Sequence, residues 1–165
     1  GVGIISKTGH TFLKEAMRKN NAVFGGEVSA HHYFRDFAFC DSGMITCFLF
    51  LECLSKKDVS IETIIENKMR AFPSSGELNF SVKDPQKVMD EIFNHYKEAL
   101  STDFSDGMSM FFGDWRFNIR KSNTEPLVRL NVESKGSNEL VKKHTDAITK
   151  LIVNINRNHK NHVEP

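Results

Sequence analysis

The sequence lacks the features of several large classes of protein. Its 165 residues include three cysteines, an odd number without regular spacing, which argues against a disulfide framework and predicts a reducing, cytoplasmic location. Lysine and arginine number 22, against 21 aspartate and glutamate residues. The resulting formal charge of +1 argues against binding to nucleic acid or to a membrane surface by bulk attraction. We therefore expect neither as a partner.

Long hydrophobic runs are also missing. The longest apolar run is Met44 to Leu51, well short of the roughly 20 residues that a membrane span needs. No basic segment with an apolar stretch behind it opens the chain, so we predict no signal peptide. The chain instead opens on apolar residues at 2–5 that are typical of a strand already under way.

An α/β pattern extends over residues 1–72. Apolar spacing predicts a strand at 2–5, a helix at 11–19, a short strand at 22–24, and helices at 42–54 and 60–70. The helix at 42–54 is apolar nearly all round, so we expect it to be buried. Its neighbour Cys40 and its own Cys47 and Cys53 are then expected to be inert core thiols.

A second region follows the predicted linker at 71–76 and extends over residues 76–155. Alternating apolar residues predict strands, and Asp84-Pro85 predicts a helix start. The predicted order is β-α-β-β-β-α, which makes an α+β domain with an open antiparallel sheet covered by two helices on one face. Residues 156–165 are polar and are expected to form a frayed tail.

Three polar clusters lie in predicted loops, and the first is Ser6 to His10. It follows the predicted strand and precedes a helix, a position where anions and other ligands often bind. An ordinary strand-to-helix turn with a capping hydroxyl explains the same residues.

The second cluster lies within Gly25 to Asp36. Paired glycines let the backbone approach a ligand closely, a carboxylate and a hydroxyl two residues apart suit neighbouring sugar hydroxyls, and an imidazole can transfer a proton. A polar loop with a satisfied histidine is the simpler reading. Metal binding is a third interpretation, but the candidate ligands do not have the spacing of a zinc finger. Its ligands would be His31, His32, Asp36 and Cys40.

The third cluster lies within Arg120 to Pro126, between two predicted strands. A guanidinium fork, two hydroxyls and an amide suit a phosphate ion, and Arg129 could reach the same place from the next strand. An Asx-type turn whose exit is fixed by Pro126 explains the spacing equally well.

Together the three clusters resemble the loops of the α-D-phosphohexomutases. Glu27 to His31 resembles the sugar-recognition loop G-E-M-S-G/A-H, with Val28 in place of Met. Lys7 to His10 is similar to a second family loop, and Arg120 to Pro126 matches the phosphate-binding loop R-x-S-N-T-x-P. The run His31 to Phe37 looks most like the bacterial phosphomannomutase branch of the family. The resemblance covers nearly the whole chain.

This resemblance implies a role for each matching residue. Glu27 and Ser29 would bind sugar hydroxyls, with Lys7 also in the substrate site. His10 and His31 would be the catalytic residues that move a proton to and from the reacting hydroxyl. The non-reacting phosphate would be held by Arg120, Ser122, Asn123 and Thr124, with Arg129 as a further candidate. Some relatives carry that last arginine two residues later, where this chain has Asn131.

The resemblance also implies parts that this sequence does not contain. The family has four domains, with a phosphoserine in the first and a D-G-D-x-D-R-like loop for Mg²⁺ in the second. Neither motif is present here, so no metal ligand is assigned. We expect a C-terminal fragment, the end of the third α/β/α domain (1–72) and the whole TATA-box-binding-protein-like fourth domain, which is inactive without the N-terminal domains. The cofactors of the parent would be Mg²⁺ and a bisphosphorylated hexose.

Two functions remain open at this point. One is the substrate-binding part of an enzyme that interconverts mannose 6-phosphate and mannose 1-phosphate, or the corresponding glucose phosphates. The other is a non-catalytic module that binds sugar phosphates or other anions.

Overall fold

The computed structural model describes residues 1–27, 29–57, 59–122 and 124–158, which form two compact units divided between Ile64 and Ile65. The first unit contains α1 (His10–Asn20), β1 (Phe24–Gly26), β2 (His32–Phe34), β3 (Cys40–Asp41) and α2 (Gly43–Ser55). Helix α3 (Ile61–Ala71) spans the division. The second unit continues with β4 (Leu78–Ser81), α4 (Pro85–His95), β5 (Ser101–Asp103), β6 (Met108–Phe111), β7 (Trp115–Lys121), β8 (Leu127–Ser134) and α5 (Asn138–Asn158).

The first unit is a helix against a small antiparallel sheet of order β1-β2-β3. The predicted helix at 11–19 is confirmed, and Asn21 ends it in the left-handed conformation, with φ of 48°. Gly25 of β1 lies against this helix, because a Cβ atom there would come within 2.7 Å of the Met17 sulfur. Met17 and Tyr33 are the buried side chains at this contact.

The predicted strand at 2–5 is wrong. Residues 1–7 have no regular secondary structure, and Val2, Ile4 and Ile5 are exposed. An apolar run becomes a strand only where a neighbour pairs with its backbone groups, and no described strand does so here. The strand predicted at 22–24 is present but lies two residues later, as β1.

Helix α2 is confirmed as a helix, but its predicted burial is wrong. Met44 and Phe48 keep 64% and 62% of their surface exposed, and Cys47 and Cys53 are exposed rather than core thiols. Cys40 is only half-buried. A helix that is apolar all round needs cover on every side. The described part of the first unit offers only strands of two or three residues.

The second unit is a five-stranded antiparallel sheet of order β4-β8-β7-β6-β5, with α4 and α5 packed on one face. Asp84 caps α4, since its carboxylate accepts a hydrogen bond from the Lys87 N–H at 2.9 Å. The core between sheet and helices contains Val82, Val88, Ile92, Met108, Met110, Phe117, Ile119, Val128, Leu130, Val132, Ile148 and Ile152. The sheet's other face carries the alternate side chains, most of which are polar.

Two details of this unit depart from the sequence prediction. Strand β5 was not predicted, because three polar residues on a sheet edge show no apolar alternation. Helix α5 extends to Asn158, so the prediction of a frayed tail at 156–165 is wrong for residues 156–158. Asn156 accepts from the Lys83 N–H at 3.0 Å, which ties this end of the helix to the sheet. Residues 159–165 lie outside the described part of the chain.

The predicted linker is joined to the sheet. Ser75 N–H donates to the Val132 carbonyl at 2.8 Å, and Ser134 N–H donates to the Pro73 carbonyl at 3.0 Å. The Val132 N–H donates in turn to Ser75 Oγ at 2.9 Å. Domain boundaries at 72 and 76 stay a prediction.

A one-residue bulge lies in this segment. Leu78 pairs with Leu130, whereas Ser74 bridges to Glu133, so the three residues 75–77 on one side oppose the two residues 131–132 on the other. Gly76 has a φ of +68° within the bulge, a conformation that favours glycine. Among the described residues, no helix is both long and apolar enough to cross a membrane.

Candidate functional site

Glu27 joins the first two polar clusters of the first unit. It directly follows β1, and its Oε1 accepts from the Gly9 N–H at 2.7 Å. Its Oε2 accepts from the Tyr33 hydroxyl at 2.9 Å. Burial, followed by the hydrogen bond and charge of Glu27, raises the pKa of Tyr33 to about 12, so the phenol keeps the proton that it donates. Both carboxylate oxygens are therefore fixed, and the loop at 6–10 is held beside the loop at 27–31.

The loop that follows β1, from Glu27 to His31, is a tight turn. Glu27 N–H donates to the His31 carbonyl at 2.9 Å, and Ala30 N–H donates back to the Glu27 carbonyl at 3.0 Å. Ala30 has a φ of +66°, and Ser29 is exposed at the turn. Val28 lies outside the described residues. The turn thus presents Ser29 to solvent beside an ordered carboxylate.

His31 is held by a carboxylate that the sequence analysis did not identify. Its Nδ1 lies 2.7 Å from Asp41 Oδ2, and Asp41 Oδ1 accepts from the His32 N–H at 3.0 Å. The hydrogen bond and negative charge of Asp41 raise the pKa of His31, and the same hydrogen bond, with that from the His32 backbone, lowers the pKa of Asp41. With Nδ1 on Asp41, Nε2 is the nitrogen that can exchange a proton.

Lys7 and His10 lie on either side of the Gly9 contact. His10 is the first residue of α1 and is exposed, and the Lys7 ammonium lies 5.7 Å from the centre of the Phe12 ring. The structure therefore brings the Lys7–His10 loop to Glu27 through its backbone.

The alternative metal reading of this segment has no geometric support. His32 Nδ1 lies 3.1 Å from Thr46 Oγ1, and Asp36 pairs with Arg35. Over the ranges that the structure describes, no three histidine, cysteine, aspartate or glutamate side chains group as metal ligands would.

Arg120 and Arg129 lie side by side in the second unit. Arg120 near the end of β7 is directly opposite Arg129 on β8. Their strand neighbours Ile119, Val128 and Leu130 point into the core, so both arginines lie on the face that the helices leave open. The side chains of Arg120 and Arg129 keep 31% and 34% of their surface exposed.

The loop between these strands places hydroxyl groups next to Arg120. Ser122 N–H donates to the Leu127 carbonyl at 3.0 Å, which closes the loop. Thr124 N–H donates to Ser122 Oγ at 3.4 Å, and the two hydroxyl oxygens are 3.5 Å apart. Asn123 lies outside the described residues, so its predicted contact stays a prediction.

Glu77 is a further residue that the sequence analysis missed. Arg120 Nη2 donates to Glu77 Oε2 at 2.8 Å, and Arg129 Nη1 donates to Oε1 at 3.1 Å. The hydrogen bond from Arg120 is the main cause of a lowered Glu77 pKa, so this carboxylate stays ionised. The alternation of Leu78 and Phe80 predicts that Glu77 lies on the opposite, open face, but it does not predict that Arg120 lies beside it.

Gly107 also supports Arg120. It has a φ of +72°, and a Cβ atom there would lie 2.5 Å from Arg120 Cβ and 2.6 Å from the Ile119 carbonyl oxygen. Only glycine fits between this turn and β7 without displacing the arginine.

The Glu27 loop and the open five-stranded sheet with its paired arginines lie in two segments that match consecutive domains of one protein family. Residues 3–72 match the family description "Phosphoglucomutase/phosphomannomutase, alpha/beta/alpha domain III", and residues 77–151 match the C-terminal domain of the same family. The chain belongs to the phosphoglucomutase/phosphomannomutase family.

Individual relatives agree with this assignment. A phosphomannomutase of Escherichia coli strain K12 is 50% identical over 153 residues, which is 92% of this chain and 34% of the relative. A phosphomannomutase of Vibrio cholerae is 54% identical, over 92% of this chain and 33% of the relative. Proteins named phosphohexose mutases from Xanthomonas campestris are 48% identical. The chain thus spans about a third of the length of these relatives.

A solved structure supports the same fold. The crystal structure of a phosphoglucomutase/phosphomannomutase family protein from Burkholderia thailandensis superposes with a TM-score of 0.72 at 26% identity. The match covers 92% of this chain and 32% of that one. The fold predicted from the resemblance is confirmed.

Proposed function

We propose that this chain is the sugar- and phosphate-binding part of a phosphomannomutase, an enzyme that interconverts mannose 6-phosphate and mannose 1-phosphate through a bisphosphorylated sugar. The names of the Escherichia coli and Vibrio cholerae relatives support mannose phosphates as substrates. The Xanthomonas relatives carry the broader name phosphohexose mutases, which makes glucose phosphates the second candidate substrates.

The observation that carries this proposal is the pair of opposed arginines in the second unit. Two guanidinium groups on one face of the sheet offer parallel N–H donors to a phosphate dianion. Ser122 and Thr124 supply hydroxyl groups in the adjoining loop, and Asn123 an amide. Together these residues would hold the phosphate that does not react.

In the first unit, Glu27 and Ser29 would bind sugar hydroxyls, with Lys7 nearby. Glu27 retains acceptor capacity for a sugar, because each of its oxygens accepts a single hydrogen bond from the residues described. Such a carboxylate, fixed by a backbone N–H and a phenol, is ordered before a ligand arrives, which lowers the entropy cost of binding.

His31 would transfer the proton of the hydroxyl that gains or loses phosphate. Asp41 holds its Nδ1, so the ring presents Nε2 in a fixed orientation, and the raised pKa keeps a larger fraction of the imidazolium near neutral pH. His10, exposed at the start of α1, is the second candidate for this role.

The remaining parts of the reaction would come from a longer polypeptide. Mg²⁺ and a phosphoserine stabilise and donate the phosphoryl group in such chemistry, but this sequence contains neither motif. The described residues offer no fitting group of metal ligands, so no step is assigned to a metal here. The proposed partners are the other domains of that polypeptide, a hexose phosphate and a bisphosphorylated hexose. The proposed location is the cytoplasm.

Titration of the 165-residue chain with mannose 1-phosphate tests the proposal. Two-dimensional ¹H–¹⁵N NMR should show millimolar binding, with shifts at the Arg120 side chain and in the 122–124 loop. Arg120→Ala should remove these shifts, whereas Arg157→Ala, on the exposed end of α5, should leave them unchanged. A chain that binds no phosphate ester at tens of millimolar would disprove the proposal.

A further inference from the structure

The guanidinium groups of Arg120 and Arg129 hold an anion of the chain itself, the carboxylate of Glu77. Each Glu77 oxygen takes one arginine, at 2.8 Å from Arg120 and 3.1 Å from Arg129. This arrangement is the one by which two guanidinium groups share two oxygens of a phosphate. The carboxylate therefore occupies the donors that an entering phosphate needs.

The local backbone geometry places Glu77 beside Arg120 and Arg129. The bulge at Gly76 shifts the pairing of β8 by one residue immediately before Glu77. Bulges re-aim the side chains beside them. Asn79 of β4 pairs directly with Arg129, so Glu77 lies on the same open face, two residues further along.

The charges around the two arginines also indicate that Glu77 competes with an entering phosphate. Two like charges directly opposite on neighbouring strands destabilise a sheet, and the Glu77 carboxylate offsets this repulsion. Asp106 Oδ2 lies 4.0 Å from Arg120 Nη1 and adds a second, weaker negative charge. The two arginines and two carboxylates sum to zero, so an anion that leaves Glu77 in place gains little attraction.

We propose that Glu77 is a specificity-determining residue of the phosphate loop: an internal carboxylate that competes for Arg120 and Arg129 and is displaced only by a doubly charged phosphate. This inference rests on the proposed phosphate-binding function of these arginines. A monoanion such as acetate brings the same charge as Glu77 but lacks its covalent tether, so it cannot compete. A phosphate dianion brings twice the charge and additional oxygens for the hydroxyls of Ser122 and Thr124.

The direction in which one substitution changes the affinity for phosphate tests this inference. In Glu77→Gln the side chain keeps its size but loses its charge, so inorganic phosphate should bind about tenfold more tightly, the lower end of the effect of one hydrogen bond to a charged group. Acetate, which the unaltered chain should not bind measurably, should now bind. Glu98→Gln removes the same charge in the turn after α4 and should change neither affinity.

Calorimetric or NMR titration of the complete chain with sodium phosphate and sodium acetate at pH 7.5 measures both effects, and thermal unfolding confirms that each variant is folded. Glu77→Ala provides a second variant with the same expected sign. A carboxylate that instead positions the arginines predicts weaker phosphate binding in both variants. Weaker phosphate binding in both Glu77 variants would overturn the inference. The proposed function would stay intact if the unaltered chain binds phosphate and Arg120→Ala removes that binding. Absence of phosphate binding in the unaltered chain and in Glu77→Gln would overturn both.

Discussion

At the residue scale, His31 and Asp41 form a pair in which each residue shifts the pKa of the other. The raised pKa of His31 means that its protonated form is stabilised in the folded chain, fully below the ordinary value of 6.5 and progressively less as pH rises through the raised pKa. The lowered pKa of Asp41 contributes stability above 3.8 that is lost as pH falls through that lowered value. The pair therefore stabilises the fold most between these two ordinary values.

Asp41→Asn should remove this coupling. An amide cannot stabilise the imidazolium by charge, so the pKa of His31 should fall toward 6.5. NMR titration of the His31 ring protons measures the change. Asp36→Asn removes a carboxylate that pairs with Arg35 instead and is the matched control. An unchanged His31 pKa in Asp41→Asn would show that Asp41 does not hold this ring.

Gly107→Ala tests the support of Arg120. The left-handed φ and the contact with the Ile119 carbonyl should together cost about 3 kcal/mol of unfolding free energy. Gly136→Ala is the control, since its φ of +71° is the same but no atom lies within 4 Å of the added Cβ. That control should cost about 1 kcal/mol. Urea unfolding measures both, and equal losses would contradict the predicted collision at Arg120.

At the element scale, the segment at 71–75 behaves as an added strand edge. Its hydrogen bonds to β8 and the following turn include Gly136 N–H to the Ala71 carbonyl at 2.9 Å. A polypeptide of residues 76–158 should fold, but it should be less stable than residues 65–158 by about 5 kcal/mol, at about 1 kcal/mol for each of five hydrogen bonds.

Residues 71–158 are the control for this prediction, because they retain the hydrogen bonds and lose most of α3. Their urea midpoint should lie close to that of residues 65–158. If residues 71–158 are instead as unstable as residues 76–158, helix α3 and not the added edge provides the stability.

Local signals in the sequence predicted those elements that depend on local physics. Asp84-Pro85 fixes the start of α4, and apolar alternation fixes β6, β7 and β8. Elements that depend on distant partners were missed or misjudged. β5 exists because β6 pairs with it, and α2 is exposed because the described neighbours are too small to cover it.

The candidate site shows the same difference between features set by local sequence and features set by distant partners. Motif residues such as Glu27 and Arg120 could be predicted, because each loop is contiguous in sequence. Their partners could not, since Asp41 lies ten residues from His31 and Glu77 lies 43 residues from Arg120. Only the pairing of strands brings these carboxylates to the motif side chains.

At the scale of the whole molecule, the two units contain the proposed binding groups, and the sequence contains no motif for a phosphoryl donor. Phosphoryl transfer needs a positioned donor and acceptor and a cation that spreads the transferring charge. Hydrogen bonds to a held phosphate contribute about 1.5–3 kcal/mol each to binding, but they do not by themselves provide the transfer step.

The 165-residue chain should therefore bind phosphate esters and turn none over. A coupled assay with mannose 1-phosphate, Mg²⁺ and a bisphosphorylated hexose measures this, with the 50% identical Escherichia coli phosphomannomutase as the positive control. Turnover by the chain should stay at background while the control is active under the same conditions. Activity that copurifies with the chain and disappears in His31→Ala would contradict the prediction, because a residue of these two units would then have to carry the phosphoryl group.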